Sequence, residues 1–320
     1  MSPRKKGIID NREWLVKHLS PLIEMGREIK LRDAILPTPP PPYVKGYWTG
    51  LKLILVRYYM PGYLNILAPR RRIAYVDLFA GPGLNLIGRG NTLIPIPGSP
   101  LLPWVMTGTV HQFDSIILNE FKSEYVEALK IRVGHYNTSN RIFIHEGDAN
   151  VFVSELPIVL DKRRIQHCLV FIDPEGLDFK FKSLEKLIYN TKCDVIINFP
   201  SAGLIRNLVQ PDAATEVTIR DFLGLSLEDS LPQSESEAIA LYRSKLKSLG
   251  KDVSTEIMIS SGEGPFHYHL IPAVRRTSSG SPWFRILQEA KNNIEKFKGD
   301  ILGVIADQIE GRLTMIDDFP

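Results

Sequence analysis

Two cysteines in 320 residues, Cys168 and Cys193, exclude a disulfide framework and cannot alone furnish a four-ligand zinc site. Both stand at the edges of apolar runs, and the pattern predicts buried free thiols in a reducing compartment. No stretch approaches the roughly 18 consecutive apolar residues of a membrane span; the longest candidate, Leu51 to Tyr59, is interrupted by Lys52 and Arg57. The charged start, MSPRKKGIIDNREW, has no apolar segment behind it and does not read as a secretory signal. A cytoplasmic protein without a membrane association is expected. Net charge is also small: 39 basic against 36 acidic residues leave +3, too balanced for a protein that coats nucleic acid, so any basic surface is local.

What is present is enough apolar material for a large core, with 44% hydrophobic and 23% charged residues. Residues 1–44 read as a basic tip, one amphipathic helix carrying Trp14, Leu15, Leu19, Leu22 and Ile23, and a proline-rich spacer, PTPPPP, that favours an extended path. Residues 45–320 read as one Rossmann-like domain. Within it, apolar runs rich in β-branched residues cover 73–79, 115–119, 141–145, 168–172 and 194–199, and helix-length segments such as 123–133 and 182–189 lie between them. Runs apolar on both faces and alternating with helices predict a doubly wound, mostly parallel α/β sheet. Residues 200–254 form a helical insertion after the fifth strand, followed by strand-like runs at 255–259 and 267–273. Five parallel strands and two late ones, the last antiparallel, are the inventory of a methyltransferase-type sheet.

The chemistry-bearing residues fall at the ends of these runs. The first strand leads into Asp77-Leu78-Phe79-Ala80-Gly81-Pro82-Gly83, a glycine loop where open α/β sheets bind ligands. A dinucleotide site wants a small residue at Leu86 and no carboxylate beside a diphosphate, where two like charges about 4 Å apart repel by roughly 4 kcal/mol. A carboxylate at Asp77 instead suits the sulfonium and ammonium of S-adenosylmethionine, and no Gly-Lys-Ser/Thr follows for a phosphate loop. Glu120 ends the second strand, where a carboxylate can accept ribose hydroxyls. Asp148, followed by Ala149, ends the third and can accept from the adenine amino group. The fourth strand ends in Asp173-Pro174-Glu175-Gly176. Amino-methylating enzymes place Asp or Asn, Pro, Pro and an aromatic at this point; here Glu175 and Gly176 replace the second proline and the aromatic, which leaves Phe179 as the candidate for stacking.

Other features carry less. His267 and His269 share a strand face but lack a third ligand, so no metal site is expected. The basic runs Arg70 to Arg72, Lys162 to Arg164 and Arg275-Arg276, with Arg206, can touch phosphates locally. Asp173, Glu175 and Asp178 are close enough in sequence to raise a metal-dependent nuclease, although one tight loop seldom converges three ligands.

Trp48-Thr49 with Lys52, the Asp77 to Gly83 loop, Gly98-Ser99-Pro100, Glu120, Gly147-Asp148-Ala149-Asn150, Asp173-Pro174-Glu175-Gly176 and Tyr268-x-Leu270, in that order, resemble the three-Cys-motif partner family over roughly residues 45–300. The resemblance implies a Rossmann-like methyltransferase fold and a functional link to a separate three-Cys-motif protein of the radical S-adenosylmethionine type. The expectations are therefore a methyltransferase using S-adenosylmethionine, held by Asp77, Phe79, Gly81, Gly83, Glu120, Asp148 and Ala149. Asp173, Pro174 and Glu175 would serve an acceptor, with RNA or DNA first and a partner protein or small molecule behind. The alternative from another class is a non-catalytic partner protein that keeps the sheet as a scaffold.

Overall fold

A computed structural model describes residues 3–89, 92–137, 140–253, 255–262, 265–275 and 282–312. The central sheet is built from β2 (Ile73–Asp77), β5 (Ser115–Glu120), β6 (Ile142–Glu146), β7 (His167–Ile172), β8 (Cys193–Phe199), β10 (Ile257–Ser260) and β11 (His267–Arg275), after β1 (Tyr43–Lys45), β3 (Leu84–Arg89), β4 (Thr92–Pro97) and β9 (Lys251–Asp252) are set aside. Across the sheet the order is β10-β11-β8-β7-β2-β5-β6, with β9 pairing β11. β5, β6, β7, β8 and β2 are parallel neighbours, whereas β11 runs antiparallel to both β8 and β10. The sheet is thus doubly wound about β2, with the antiparallel strand between the fifth and sixth, and the mostly parallel methyltransferase-type Rossmann-like fold is what the chain adopts. β2, β5, β7 and β8 are buried along their whole length, so both faces must be covered.

The helices that cover it are α3 (Ser123–Gly134), α4 (Ala149–Lys162), α5 (Phe181–Asn190), α6 (Ser201–Leu208), α7 (Ala213–Leu223), α8 (Glu235–Ser248), α9 (Pro282–Ile294) and α10 (Gly299–Ile309), with α1 (Pro3–Ala34) and α2 (Trp48–Leu67) ahead of the sheet in sequence. α6, α7 and α8 occupy the stretch read as a helical insertion; Ser254 at its end lies outside the described residues. α7 begins on an Asp212 cap and ends on Gly224 in the left-handed conformation, and α8 begins on Ser234, whose side chain accepts from Glu237 N.

The proline run is not a passive connection. Arg132 of α3 is buried, donates to Pro40 O and Pro41 O at 2.8 and 3.0 Å, and on its other side donates to Pro82 O at 2.6 Å and to Asp33 Oδ2. Leu15, Leu19, Leu22 and Ile23 of α1 pack in the same hydrophobic cluster as Leu51, Ile54 and Tyr75. α1 also crosses β4 at Gly26, where a Cβ would stand 2.2 Å from Pro95 O.

A second, three-stranded sheet of order β1-β3-β4 was not legible in the sequence. β4 carries Pro95 and Pro97, and prolines donate no ladder bond. They are tolerated because β4 is an edge strand, pairing only with β3. Residues 90–91, between β3 and β4 in sequence, lie outside the described residues.

Candidate functional site

The carboxyl ends of β2, β5, β6, β7 and β8 open on one cleft of about 560 Å³. Phe79, Gly81, Glu120, Asp148, Ala149, Asp173, Pro174 and Glu175 all line it, although they come from four separate strand ends. Asp77 and Gly83 lie behind the wall: neither contributes to the lining, and both shape the loop that does.

Asp77 is fully buried and accepts from Phe79 N at 3.2 Å and from the Tyr75 hydroxyl at 3.3 Å. Burial pushes its pKa up to about 7; hydrogen bonds from Ser99 and Phe79 N oppose the rise, and the charge on Asp173 adds to it. Gly81 has φ +63°, and nothing lies within 4 Å of where its Cβ would be. Gly81 N donates to Glu120 Oε2 at 2.8 Å, and Glu120 Oε1 accepts from Lys122 N at 2.9 Å. Each oxygen of Glu120 still has a lone-pair direction free of these backbone bonds. Asp148 caps α4, with Oδ1 accepting from Asn150 N at 2.8 Å. Gly98 N donates to Gly83 O at 2.8 Å, which holds the loop against the start of a 3₁₀ turn at Ser99–Trp104.

Asp173 is held on both oxygens. Lys52 Nζ stands 2.5 Å from Oδ2, and Asn198 Nδ2 donates to Oδ1 at 2.7 Å. Because the carboxylate takes the amide N–H of Asn198, the side-chain oxygen of Asn198 points elsewhere; it is buried and has no hydrogen-bond partner among the described residues. Glu175 lies at the mouth, 3.3 Å from Lys45 Nζ and 3.9 Å from Lys122 Nζ. Burial first, then the charge on Asp178, raises its pKa. Lys45 is lowered to about 8, by burial and next by the charge of Lys52. Asp173 and Glu175 thus face lysines rather than each other, and among the described residues no group of three His, Cys, Asp or Glu side chains is arranged to hold a metal ion.

Phe179 does not serve as a stacking residue. It is 1% exposed and packs edge-on against Phe79, with ring centroids 5.9 Å apart. Aromatic side chains that do line the cleft include Trp48, Phe266 and Tyr268; Trp48 and Phe266 have centroids 4.8 Å apart. Lys52, Asn198, Lys45 and this aromatic wall went unassigned in the sequence as site residues. Asn198 carried a usable signal, a polar residue ending an apolar strand, the same signal that picked out Glu120. Lys45 carried none, and Lys52 stood out only in the family resemblance, without a role, because α2 and β1 reach the cleft only through tertiary packing.

His267 and His269 meet Glu235 of α8. Its carboxylate lies 2.8 Å from His267 Nε2 and 3.4 Å from His269 Nδ1, and Ser201 Oγ is 2.6 Å from the same His269 nitrogen. The cluster ties α8 and α6 to β11. Arg206 lines the cleft, whereas Arg275 is paired with the buried Asp194; Arg276 lies outside the described residues. Cys168 and Cys193 are buried on adjacent strands as directly paired residues. Among the described residues no helix is long and apolar enough to cross a membrane.

No protein-family model and no curated protein matches the sequence. Solved structures are similar at low identity. A Legionella pneumophila protein, LPL1258, is 14% identical, with 75% of this chain and 91% of that chain covered and a TM-score of 0.43. Trm1 from Pyrococcus horikoshii, solved with S-adenosyl-L-methionine, is 14% identical over 75% of this chain and 58% of its own, TM-score 0.41. An O-methyltransferase from Bacillus cereus in complex with SAH is 10% identical over 79% and 91%, TM-score 0.43. The fold assignment itself rests on the strand order and register of this chain.

Proposed function

We propose that the chain is an S-adenosylmethionine-dependent methyltransferase whose acceptor is an amino group of structured RNA or DNA, working with a three-Cys-motif protein of the radical S-adenosylmethionine type. The observation that carries this reading is the open backbone at Gly81, in a cleft of ligand size, beside three carboxylates from three strand ends. Those residues fit the cofactor. The space beside Gly81 is what a Cβ would fill, Glu120 keeps lone pairs for hydroxyl donors, and Asp148, which lines the cleft at the end of β6, would accept from the adenine amino group. Asp77 acts at one remove, by fixing Phe79 N and the turn of the loop. When bound, S-adenosylmethionine supplies an electrophilic methyl group on its sulfonium.

The chain's own work is alignment. Lys52 and Asn198 fix the Asp173 carboxylate, and the lone pairs they leave on it, with the Pro174 carbonyl, accept from an amino group. Glu175, with its raised pKa, stands where a proton released by the methylated nitrogen can be taken up. Calorimetry with S-adenosylmethionine and S-adenosylhomocysteine tests the cofactor; a folded protein that binds neither at high micromolar concentration refutes it. Labelled methyl entering a macromolecule in a cell extract, and lost in Asp173→Ala with cofactor binding retained, supports the reaction.

A second reading is a partner protein that keeps the sheet as a scaffold. It is favoured by Gly176 in place of an aromatic, by the burial of Phe179, and by the occupation of both Asp173 oxygens. Cofactor binding with no methyl transfer to any extract component is its expected signature.

A further inference from the structure

We propose that the edge of the sheet opposite the cleft is a binding surface for the phosphate backbone of nucleic acid. Two basic runs about 90 residues apart in sequence, Arg70 to Arg72 and Lys162 to Arg164, meet there. Arg72 N donates to Gln166 Oε1 at 3.0 Å, and Gln166 N donates to Arg72 O at 2.8 Å, so the segment before β2 is bonded to the segment before β7. Arg141, just before β6, joins them: Arg72, Arg141 and Arg163 line one depression of about 480 Å³, with Gln112, Ser115 and Asn140.

The charges there are largely uncompensated. Arg72 reaches Asp114 at 3.8 Å, and Asp114 Oδ2 already accepts from Ile73 N. Arg163 donates to Ser115 Oγ and Arg141 to Gln112 Oε1, both neutral. Among the described residues Arg70, Arg71, Lys162 and Arg164 are exposed and make no ion pair. Seven cations less Asp114 and Asp161 give the patch a charge of +5, against +3 for the whole chain, so the rest of the molecule is net negative. Such a distribution orients a polyanion on one face rather than coating the protein. Arg164 also has φ +56°, a left-handed conformation that glycine or asparagine adopts at less cost, yet the position carries a guanidinium. Guanidinium groups with donors to spare on a wide, shallow, polar depression suit phosphate oxygens.

The inference rests on nucleic acid as the polymer class proposed above, but not on methyl transfer. A strand of five residues separates the patch from the cleft by about 17 Å. One molecule touching both must therefore be folded or bent around the β6 edge, which favours a structured RNA over a short single strand.

The test is fluorescence anisotropy with a fluorescein-labelled RNA hairpin of about thirty nucleotides, between about 50 and 200 mM salt. Wild-type protein is expected to bind with steep salt dependence. Arg71→Ala/Lys162→Ala/Arg164→Ala, which removes no bonded side chain, is expected to weaken binding by about 10- to 100-fold at low salt and to reduce the log–log salt slope by about 2 to 3. Its circular dichroism and its calorimetric affinity for S-adenosylmethionine should match wild type. Unchanged RNA affinity and slope overturn the proposal, as does equal binding of polyglutamate, which would make the surface one for acidic protein. If wild type binds no cofactor while RNA binding still depends on the patch, the methyltransferase reading falls and this one stands.

Discussion

Arg132 and Asp33 lie 99 residues apart in the chain and meet inside the protein, Nε and Nη2 of the arginine donating to one carboxylate oxygen at 3.0 and 2.8 Å. The remaining guanidinium donors run to the carbonyls of Pro40, Pro41 and Pro82, so one side chain fastens α1, the proline segment and the glycine loop to α3.

Arg132→Leu therefore leaves a buried carboxylate and three carbonyls without donors. A loss of about 3–5 kcal/mol in urea unfolding is expected. Because Pro82 sits between Gly81 and Gly83, S-adenosylmethionine affinity should fall as well, under conditions where circular dichroism shows the variant folded. A variant as stable as wild type would mean that the contacts to Arg132 are dispensable.

Lys52 and Asp173 form a pair whose side chains are 10% and 18% exposed. Lys52→Met is expected to cost about 2–3 kcal/mol, below the ~3–5 of a fully buried pair because some water reaches it. Adding Asp173→Asn should return at least half of that loss. A double-mutant cycle with no coupling would show that the two charges are independently solvated.

Asp77 makes stability fall as pH rises. Its folded pKa of about 7 lies above the unfolded value of 3.8, so between those limits the native state holds a proton that the unfolded chain has lost. The stabilisation is complete below about pH 4 and gone above about pH 7. Subtracting the pH profile of Asp77→Asn from that of wild type should isolate a decline of order 4 kcal/mol across this window. A flat difference profile would place the Asp77 pKa near its unperturbed value.

Three glycines separate space from conformation. Gly26→Ala forces a methyl group onto the Pro95 carbonyl and should cost about 1–3 kcal/mol. Gly134→Ala meets nothing within 4 Å and should gain up to about 1 kcal/mol of helix stability. Gly81→Ala meets nothing either, but its φ is positive and its methyl group projects into the cleft; a cost of about 1 kcal/mol should accompany a tenfold or larger loss of cofactor affinity. Calorimetry and urea melts on the three variants check the order.

The parallel sheet was legible because β2, β5, β7 and β8 are apolar on both faces, a pattern that few other folds produce. The ends of those strands were legible for the same reason: Asp77, Glu120 and Asp173 are the first acidic groups after each run. The β3–β4 hairpin was hidden by Pro95 and Pro97, whose fit depends on an edge that only the assembled sheet defines. The site roles of Lys45, Lys52 and the Trp48–Phe266 wall were hidden because β1, α2 and the segment before β11 meet at the cleft through contacts separated by more than a hundred residues. Arg132 falls inside the helix-length segment 123–133, and nothing local announces that its partners are a proline run and a glycine loop.

Prolines have no N–H, so the segment at 39–42 offers Arg132 acceptors only, and those acceptors are main-chain oxygens that any residue possesses. What the prolines contribute is a restricted denatured ensemble. Alanine at Pro40 and Pro41 would leave every native hydrogen bond in place while widening the set of conformations that folding must discard, a penalty of about 0.4–1 kcal/mol per site. The strap is thus specified less by what it touches than by what the unfolded chain is prevented from doing.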